Sequence, residues 1–159
     1  MRFLLLLLLA PASASRLVPD FKSRIEMIQD SDIIARVKIT SVHASRKDQG
    51  LNLIQEPGMT LSVVVLESIK GKMPSVARVH VDNWDRWVKW PHPKRGEYLI
   101  FVVDSKDQLE NLNWHLSLRP IKDGVVDWIS DDGERNPKIL KMNTELVIDQ
   151  IKKELAVQH

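Results

Sequence analysis

Alternation of apolar and polar positions predicts strands along most of this chain. Every second residue from 33 to 39 is apolar, and a period of two is typical of a strand with one buried face. Similar patterns predict strands over residues 59–68, 76–82 and 113–119. Residues 98–103 are almost wholly apolar, which predicts a central strand that is covered on both faces.

Two segments have helical spacing instead. Phe21, Ile25 and Ile28 recur at intervals of four and three residues, which predicts a short helix that ends near residue 30. A longer helix is predicted to begin at Asn143 or Thr144, either of which can cap it. The apolar positions of this second helix are Val147, Ile151 and Leu155.

Turn residues separate the predicted strands. Gly71 and Pro74 mark a turn, because glycine accepts a positive φ and proline cannot extend a ladder. Asp123-Gly124 is the usual signal for a hairpin, and residues 125–129 form its returning strand. Five or six strands therefore follow one another without intervening helices. This order argues against a doubly wound parallel sheet and favours a mainly β (α+β) fold with a small antiparallel barrel.

The first fourteen residues have the three parts of a secretory signal peptide. Met1-Arg2 is positively charged, residues 3–10 are apolar, and Ala12-Ser13-Ala14 offers a small-x-small cleavage site before Ser15. The apolar run is shorter than the about 20 residues that span a bilayer. The sequence therefore predicts export, to the periplasm or out of the cell, of a single domain over residues 15–159, with no stable membrane insertion after cleavage.

Composition narrows the class of protein further. The 159 residues are 43% hydrophobic and 28% charged, the net charge is +2, and there is no cysteine. Such a composition is typical of a globular domain, and its near-neutral charge gives no support to nucleic acid as a partner. Without cysteine there is no disulfide scaffold, no thiolate metal site and no thiol nucleophile.

Four short segments resemble a known kind of domain. Residues 31–40, 67–74, 95–101 and 120–126 are similar, in the same order, to hallmarks of small exported bacterial domains with an OB-like barrel. The resemblance implies a five- to six-stranded antiparallel OB-like barrel with a short N-terminal helix and a C-terminal helix. Netrin-like and metalloprotease-inhibitor domains share this barrel type, although their disulfides are absent here. The resemblance implies no catalytic residue and no cofactor.

The segment 83–96 is the strongest candidate for a binding site. Three of the five tryptophans of the chain lie within seven of its residues, among several cations. If exposed, these rings offer flat faces for a protein or a glycan, and the cations favour an anionic partner. The predicted binding residues are Trp84, Arg86, Trp87, Lys89, Trp90 and Arg95. The opposing interpretation is that the rings fold inward and close one end of the barrel.

The leading hypothesis is thus an exported, non-enzymatic binding module whose specificity and oligomeric state are open. A structural envelope or matrix component without a discrete ligand site is the alternative. A metal-dependent hydrolase is a third hypothesis, because His80, Asp82 and His92 supply ligand types that zinc accepts. No metal site is predicted from them, since their spacing matches no zinc motif, and no nucleophile elbow or phosphate-binding loop is present.

Overall fold

The computed structural model describes residues 22–44, 58–81, 92–105, 108–112, 114–130 and 138–157. Within these ranges the strands are β1 (Ile33–Ala44), β2 (Met59–Lys70), β3 (Val76–Val81), β4 (Gly96–Ser105), β5 (Gln108–Asn111), β6 (Leu118–Lys122), β7 (Val125–Ile129) and β8 (Ile139–Asn143). The helices are α1 (Arg24–Asp30), α2 (Thr144–Ala156) and a single 3-10 turn, Trp114–Ser117. The predicted signal peptide and its cleavage site lie outside the described residues.

Five of the strands close into a small barrel. Their order is β1-β2-β3-β5-β4, and β4 pairs with β1 from Ile33↔Val102 to Ile39↔Gly96 to complete the ring. The mainly β fold with a closed barrel and flanking helices is therefore confirmed. One pairing differs from the antiparallel barrel expected from the sequence: β3 and β5 run parallel through Val79↔Leu109 and His80↔Glu110. The barrel is consequently mixed.

The remaining strands extend the sheet away from the barrel. β6 pairs with the first half of β4, and β7 and β8 follow in antiparallel order. The turn between β6 and β7 is the predicted hairpin, in which Asp123 (φ 52°) and Gly124 (φ 73°) both have positive φ, as a two-residue turn of this type requires. β8 leads directly into α2.

The barrel interior is lined by alternate residues of the strands, as the period of two predicts. Ile33, Ala35, Val37 and Ile39 of β1 are buried there, and they pack with inward residues of the other strands. The main contributors from those strands are Leu61, Val63, Val79, Val81, Ile100, Val102 and Leu118. This cluster is the first hydrophobic core of the protein.

A second core lies on the outer side of β1 and β4. Ile34, Leu99 and Phe101 point outward from the barrel, and α1, α2 and the extension β6–β8 cover them. Trp128 of β7 is fully buried here, with its ring centroid 5.9 Å from that of Phe101. β4 is thus apolar on both faces because each face contributes to a core, which confirms the prediction for residues 98–103.

Helix α1 is short, and specific contacts hold both of its ends. Ser23 and Glu26 form a capping box at its N-terminus, and the hydrogen bond from the Ser23 backbone lowers the pKa of Glu26. At the other end, Lys70 Nζ donates to the carbonyl oxygens of Ile28 (3.1 Å) and Gln29 (2.7 Å). The buried residues of the helix are Met27 and Ile28, whereas Ile25 is 41% exposed. The predicted stripe through Ile25 was therefore wrong at that position.

Helix α2 begins where the sequence indicated. Asn143 is its N-cap, and its side-chain oxygen accepts hydrogen bonds from the backbone N–H groups of Glu145 and Leu146. Val147 and Ile151 are fully buried in the second core. On the rim of this contact Lys152 pairs with Glu67 of β2 at 2.9 Å. The helix is thus fixed to the barrel by apolar packing with an ion pair at its border.

Three elements differ from the sequence prediction. Within the predicted strand over 113–119, Trp114–Ser117 form a 3-10 turn, and the strand begins only at Leu118. β5 and β8 had no predicted counterpart. Both are short strands of mixed polarity, QLEN and ILKMN, so neither offers enough alternation to be recognised.

We expect Lys70→Met to destabilise the protein by about 1–2 kcal/mol, because two carbonyl groups at the end of α1 lose a charged donor. Urea unfolding followed by circular dichroism measures this loss. Lys72→Met is the matched control, since Lys72 is an exposed residue of the adjacent turn, and we expect it to change stability by less than about 0.5 kcal/mol. Equal effects of the two substitutions would show that Lys70 does not hold α1.

Candidate binding face on the barrel

The outer surface of the barrel has one covered side and one open side. α1, α2 and β6–β8 pack over the first half of β1 and over β4. On the second half of β1, on β2 as far as Leu66 and on β3, none of the outward side chains among the described residues is buried. We call this surface the open face. Its residues are Lys38, Thr40, Ser41, His43, Thr60, Ser62, Val64, Leu66, Val76, Arg78 and His80.

Strand register arranges most of these side chains in three rows across the sheet. The first row is His43, Thr60 and His80; the second is Ser41, Ser62 and Arg78; the third is Lys38, Val64 and Val76. Residues that are directly opposite on neighbouring strands point to the same side, with Cβ atoms about 5 Å apart. The open face is therefore rich in hydroxyl and imidazole groups at one end and aliphatic at the other.

The cations of the open face differ from those of the covered side in the ion pairs that they form with described residues. Arg36 pairs with Glu97 (2.9 Å) and Glu145 (3.1 Å), and the hydrogen bond to Glu97 raises the pKa of Arg36. The side chains of Arg78 and Lys38 form no ion pair or hydrogen bond with the described part of the chain, although Lys38 lies opposite Glu97 in the β1–β4 register. These two cations are therefore available to an anionic group.

Polar contacts order the hydroxyl end of the open face. Thr40 Oγ1 donates to the carbonyl oxygen of Ser62 at 3.1 Å, and Ser41 Oγ lies 2.9 Å from His43 Nε2. A serine–histidine pair becomes a nucleophile–base unit when a third group orients the imidazole. No residue in the described ranges hydrogen-bonds the other nitrogen of His43. The pair lies at the hydroxyl end of the open face.

Gly58 provides the space that the ring of His80 occupies. A Cβ atom at Gly58 would lie 2.6 Å from Cε1 of His80 and 2.8 Å from the carbonyl oxygen of Val81, closer than such contacts allow. The imidazole consequently lies against the glycine backbone at the start of β2. His80 is half-buried, so its orientation depends on this glycine.

The aliphatic end of the open face is exposed. Val76 is 68% and Leu66 47% exposed, and Val64, opposite Val76, is half-buried. Leu66 lies two residues beyond Val64 on β2, at an irregularity in its pairing with β1. We call these three aliphatic residues, which lie at the end of the open face beyond Arg78, the apolar patch.

The segments that join the strands are attached beside the hydroxyl end. Ala44, Met59 and Val81 are neighbours in register, so the last residue of β1, the first of β2 and the last of β3 lie side by side. Residues 45–57 and 82–91 are connected to these positions. The predicted binding residues Trp84, Arg86, Trp87, Lys89 and Trp90 fall in the second segment, outside the described residues. Arg95 is described, and it is exposed directly before β4.

The described residues of this structure form no metal-binding site. Across the described ranges, no group of three or more His, Cys, Asp or Glu residues is placed to hold a metal ion. His80 is on the open face and His92 is exposed before β4, whereas Asp82 lies beyond the described residues. The described residues therefore do not test the third hypothesis, a site formed by these three residues.

The chain was also compared with known proteins. No protein-family model matches the sequence, and no curated protein matches it significantly. Within the part of the chain that the structure describes, no helix is long and apolar enough to cross a membrane.

The open face was not predicted from the sequence. Strand alternation shows that Lys38, Ser62 and Arg78 point away from the interior. It does not show which outward surface the helices cover, because that depends on contacts between distant elements. Leu66 and Val76 are aliphatic, but their exposure is known only from the structure. Isolated exposed aliphatic residues are also common in proteins.

We expect Gly58→Ala to displace the imidazole of His80 and to destabilise the fold by about 1–3 kcal/mol, because the added methyl group has no space. Side-chain NMR resonances of His80 and urea unfolding measure the two effects. In a His80→Ala background the same substitution should cost less, since only the contact with Val81 remains. Equal costs in both backgrounds would show that Gly58 does not position His80.

Proposed function

We propose that this protein is an exported, non-enzymatic binding module that contacts its partner through the open face and the adjoining segment 83–96. The observation that carries this proposal is the uneven covering of the barrel. Both helices and three extra strands pack on one side, while none of the described outward residues of the open face, which reaches the end of β3, is buried. An exposed sheet face with both polar and apolar side chains suits recognition of a partner.

We further propose that the barrel is OB-like. β1, β2 and β3 follow one another as antiparallel neighbours, and β4 returns to lie beside β1, which is a Greek-key arrangement. In OB-folds the surface of the second and third strands and the adjacent loops bind ligands. The open face includes the corresponding strands. This support comes from strand order, and fold alone does not determine function.

The proposed mechanism combines aromatic burial with charge. Tryptophan rings that become covered on binding contribute large apolar areas, and they are frequent at the energetic centres of interfaces. Arg86, Lys89 and Arg95 would favour a partner with acidic groups, together with Arg78 of the open face. A protein or a glycan satisfies this description.

Export is the second part of the proposal, and it rests on the predicted signal peptide. The mature chain recovered from the organism that produces it should begin at Ser15, because the small residues Ala12 and Ala14 define the cleavage position. N-terminal sequencing of the native protein measures this directly. A native chain that retains Met1 or its apolar run would contradict export by a cleavable signal.

We expect the double substitution Trp84→Ala plus Trp87→Ala to abolish partner capture without loss of the fold, because it removes two contact rings. Pull-down from the native extract and circular dichroism measure these two properties. Acrylamide should quench the wild-type tryptophan emission strongly, and the double variant should lose the quenchable component. The buried Trp128 accounts for emission that resists quenching.

Two results would overturn the proposed site. Weak quenching of the wild-type protein would indicate that the rings are packed inside, in keeping with a structural envelope or matrix component. Undiminished capture of every partner by the double variant would show that the tryptophan-rich segment makes no essential contact.

A further inference from the structure

The aliphatic end of the open face combines a cation with an apolar patch. Arg78 lies two residues from Val76 along β3 and directly opposite Ser62, and the Val64–Val76 pair occupies the next row. Leu66 and Val76 are both exposed. Arg78 has no ion-pair partner among the described residues, whereas the strand cation Arg36 on the covered side has two.

We propose that this surface binds an acidic segment of a partner protein, with a carboxylate of the segment on Arg78 and neighbouring apolar side chains on Val64, Leu66 and Val76. The inference rests on the proposed binding function and specifies the chemistry of its partner. It uses residues of β2 and β3, which are distinct from the tryptophan-rich segment.

The charge of the surface favours a carboxylate. The guanidinium of arginine donates two parallel hydrogen bonds to a carboxylate, and this geometry makes the pair both strong and specific. The hydroxyl group of Ser62, opposite Arg78, can donate to the same group. Lys38 adds a second cation in the neighbouring row, although Glu97 lies opposite it. The acidic Glu110 lies beside His80, one row from Arg78 and two rows from Lys38, and its carboxylate accepts a hydrogen bond from Gln108 Nε2.

The apolar patch favours a peptide over a glycan or a nucleic acid. Its three side chains are aliphatic, and the residues that make up the open face include no Phe, Tyr or Trp on which a sugar or a base could stack, the two imidazoles lying at the opposite end. Two cations are few for a nucleic acid, since proteins that bind it commonly make about six to ten phosphate contacts. A segment that carries acidic and aliphatic residues matches both parts of the surface.

The test uses the full mature chain and a synthetic peptide that contains glutamate and leucine. Two derivatives of the peptide replace all glutamates by glutamine or all leucines by serine, and polygalacturonate serves as a carboxylated glycan. Affinity is measured by titration, and the contact surface by backbone NMR shifts. We expect the parent peptide to shift residues 62–66 and 76–78, and both derivatives to bind at least about tenfold more weakly.

Variants of the protein locate the two contacts. Arg78→Gln and Leu66→Ser should each weaken binding of the parent peptide by roughly three- to tenfold. Lys122→Gln and Leu146→Ser are matched controls, because Lys122 is an exposed cation of the β6–β7 hairpin and Leu146 is a 64% exposed leucine of α2. Both controls should bind like the wild-type protein.

Three results would overturn the inference. The first is an absence of shifts on β2 and β3 with the parent peptide. The second is equal loss of affinity in the test and control variants. The third is binding of polygalacturonate at least as tight as that of the peptide and unaffected by Leu66→Ser, which would assign the surface to a glycan. If any of these occurs while the tryptophan double variant still loses its partner, the proposed function stands and only this inference fails.

Discussion

The burial of β4 on both faces is the constraint on which the rest of this structure depends. Ile100 and Val102 fill the barrel, while Leu99 and Phe101 point out of it and must be covered as well. Apolar groups of this size contribute about 1.5–3 kcal/mol each when they leave water. Because a barrel has only one interior, the outward pair requires a second layer. The helices and β6–β8 supply that layer, with Trp128 against Phe101.

The position of the second layer determines which surface of the barrel is left uncovered. A chain of this length has few elements with which to cover a barrel, and the outward residues of β1 and β4 recruit them to one side. The cations near that layer are used for structure: Arg36 and Lys152 reach across to acidic side chains, and Lys70 holds the end of α1. The open face retains Arg78, which has no such role. The stabilising contacts and the surface proposed for recognition therefore lie on different sides of one sheet.

Local patterns predicted the parts of the fold whose environment is simple. The alternation in β1 and the continuous apolar run in β4 each follow from the burial of one face or of two, and Asp123-Gly124 follows from the φ values that its turn requires. β5 and β8 were missed because pairing with distant strands, rather than their own sequence, makes them strands. The open face could not be predicted for the same reason: outward direction is a local property, whereas coverage depends on packing between distant elements. The tryptophan-rich segment was conspicuous by composition alone, so its role is still a proposal.

The buried Arg119 of β6 lies where the pairing between β6 and β7 stops. The β6–β7 pairing ends at Ile121↔Val126, and the next hydrogen-bonded pair would join residue 120 to Asp127. Residue 120 is proline, which has no N–H to donate. Arg119 Nε instead donates to the carbonyl oxygen of Asp127 at 2.5 Å, so this partly buried acceptor is satisfied although the ladder stops. Burial lowers the pKa of Arg119 to about 10, and the attraction of Asp127 partly offsets this shift. A buried cation reduces the stability of the fold unless it is hydrogen-bonded. With the carbonyl of Asp127 bonded to Arg119, β7 can separate from β6 after two residue pairs. This path carries Trp128 to the second core.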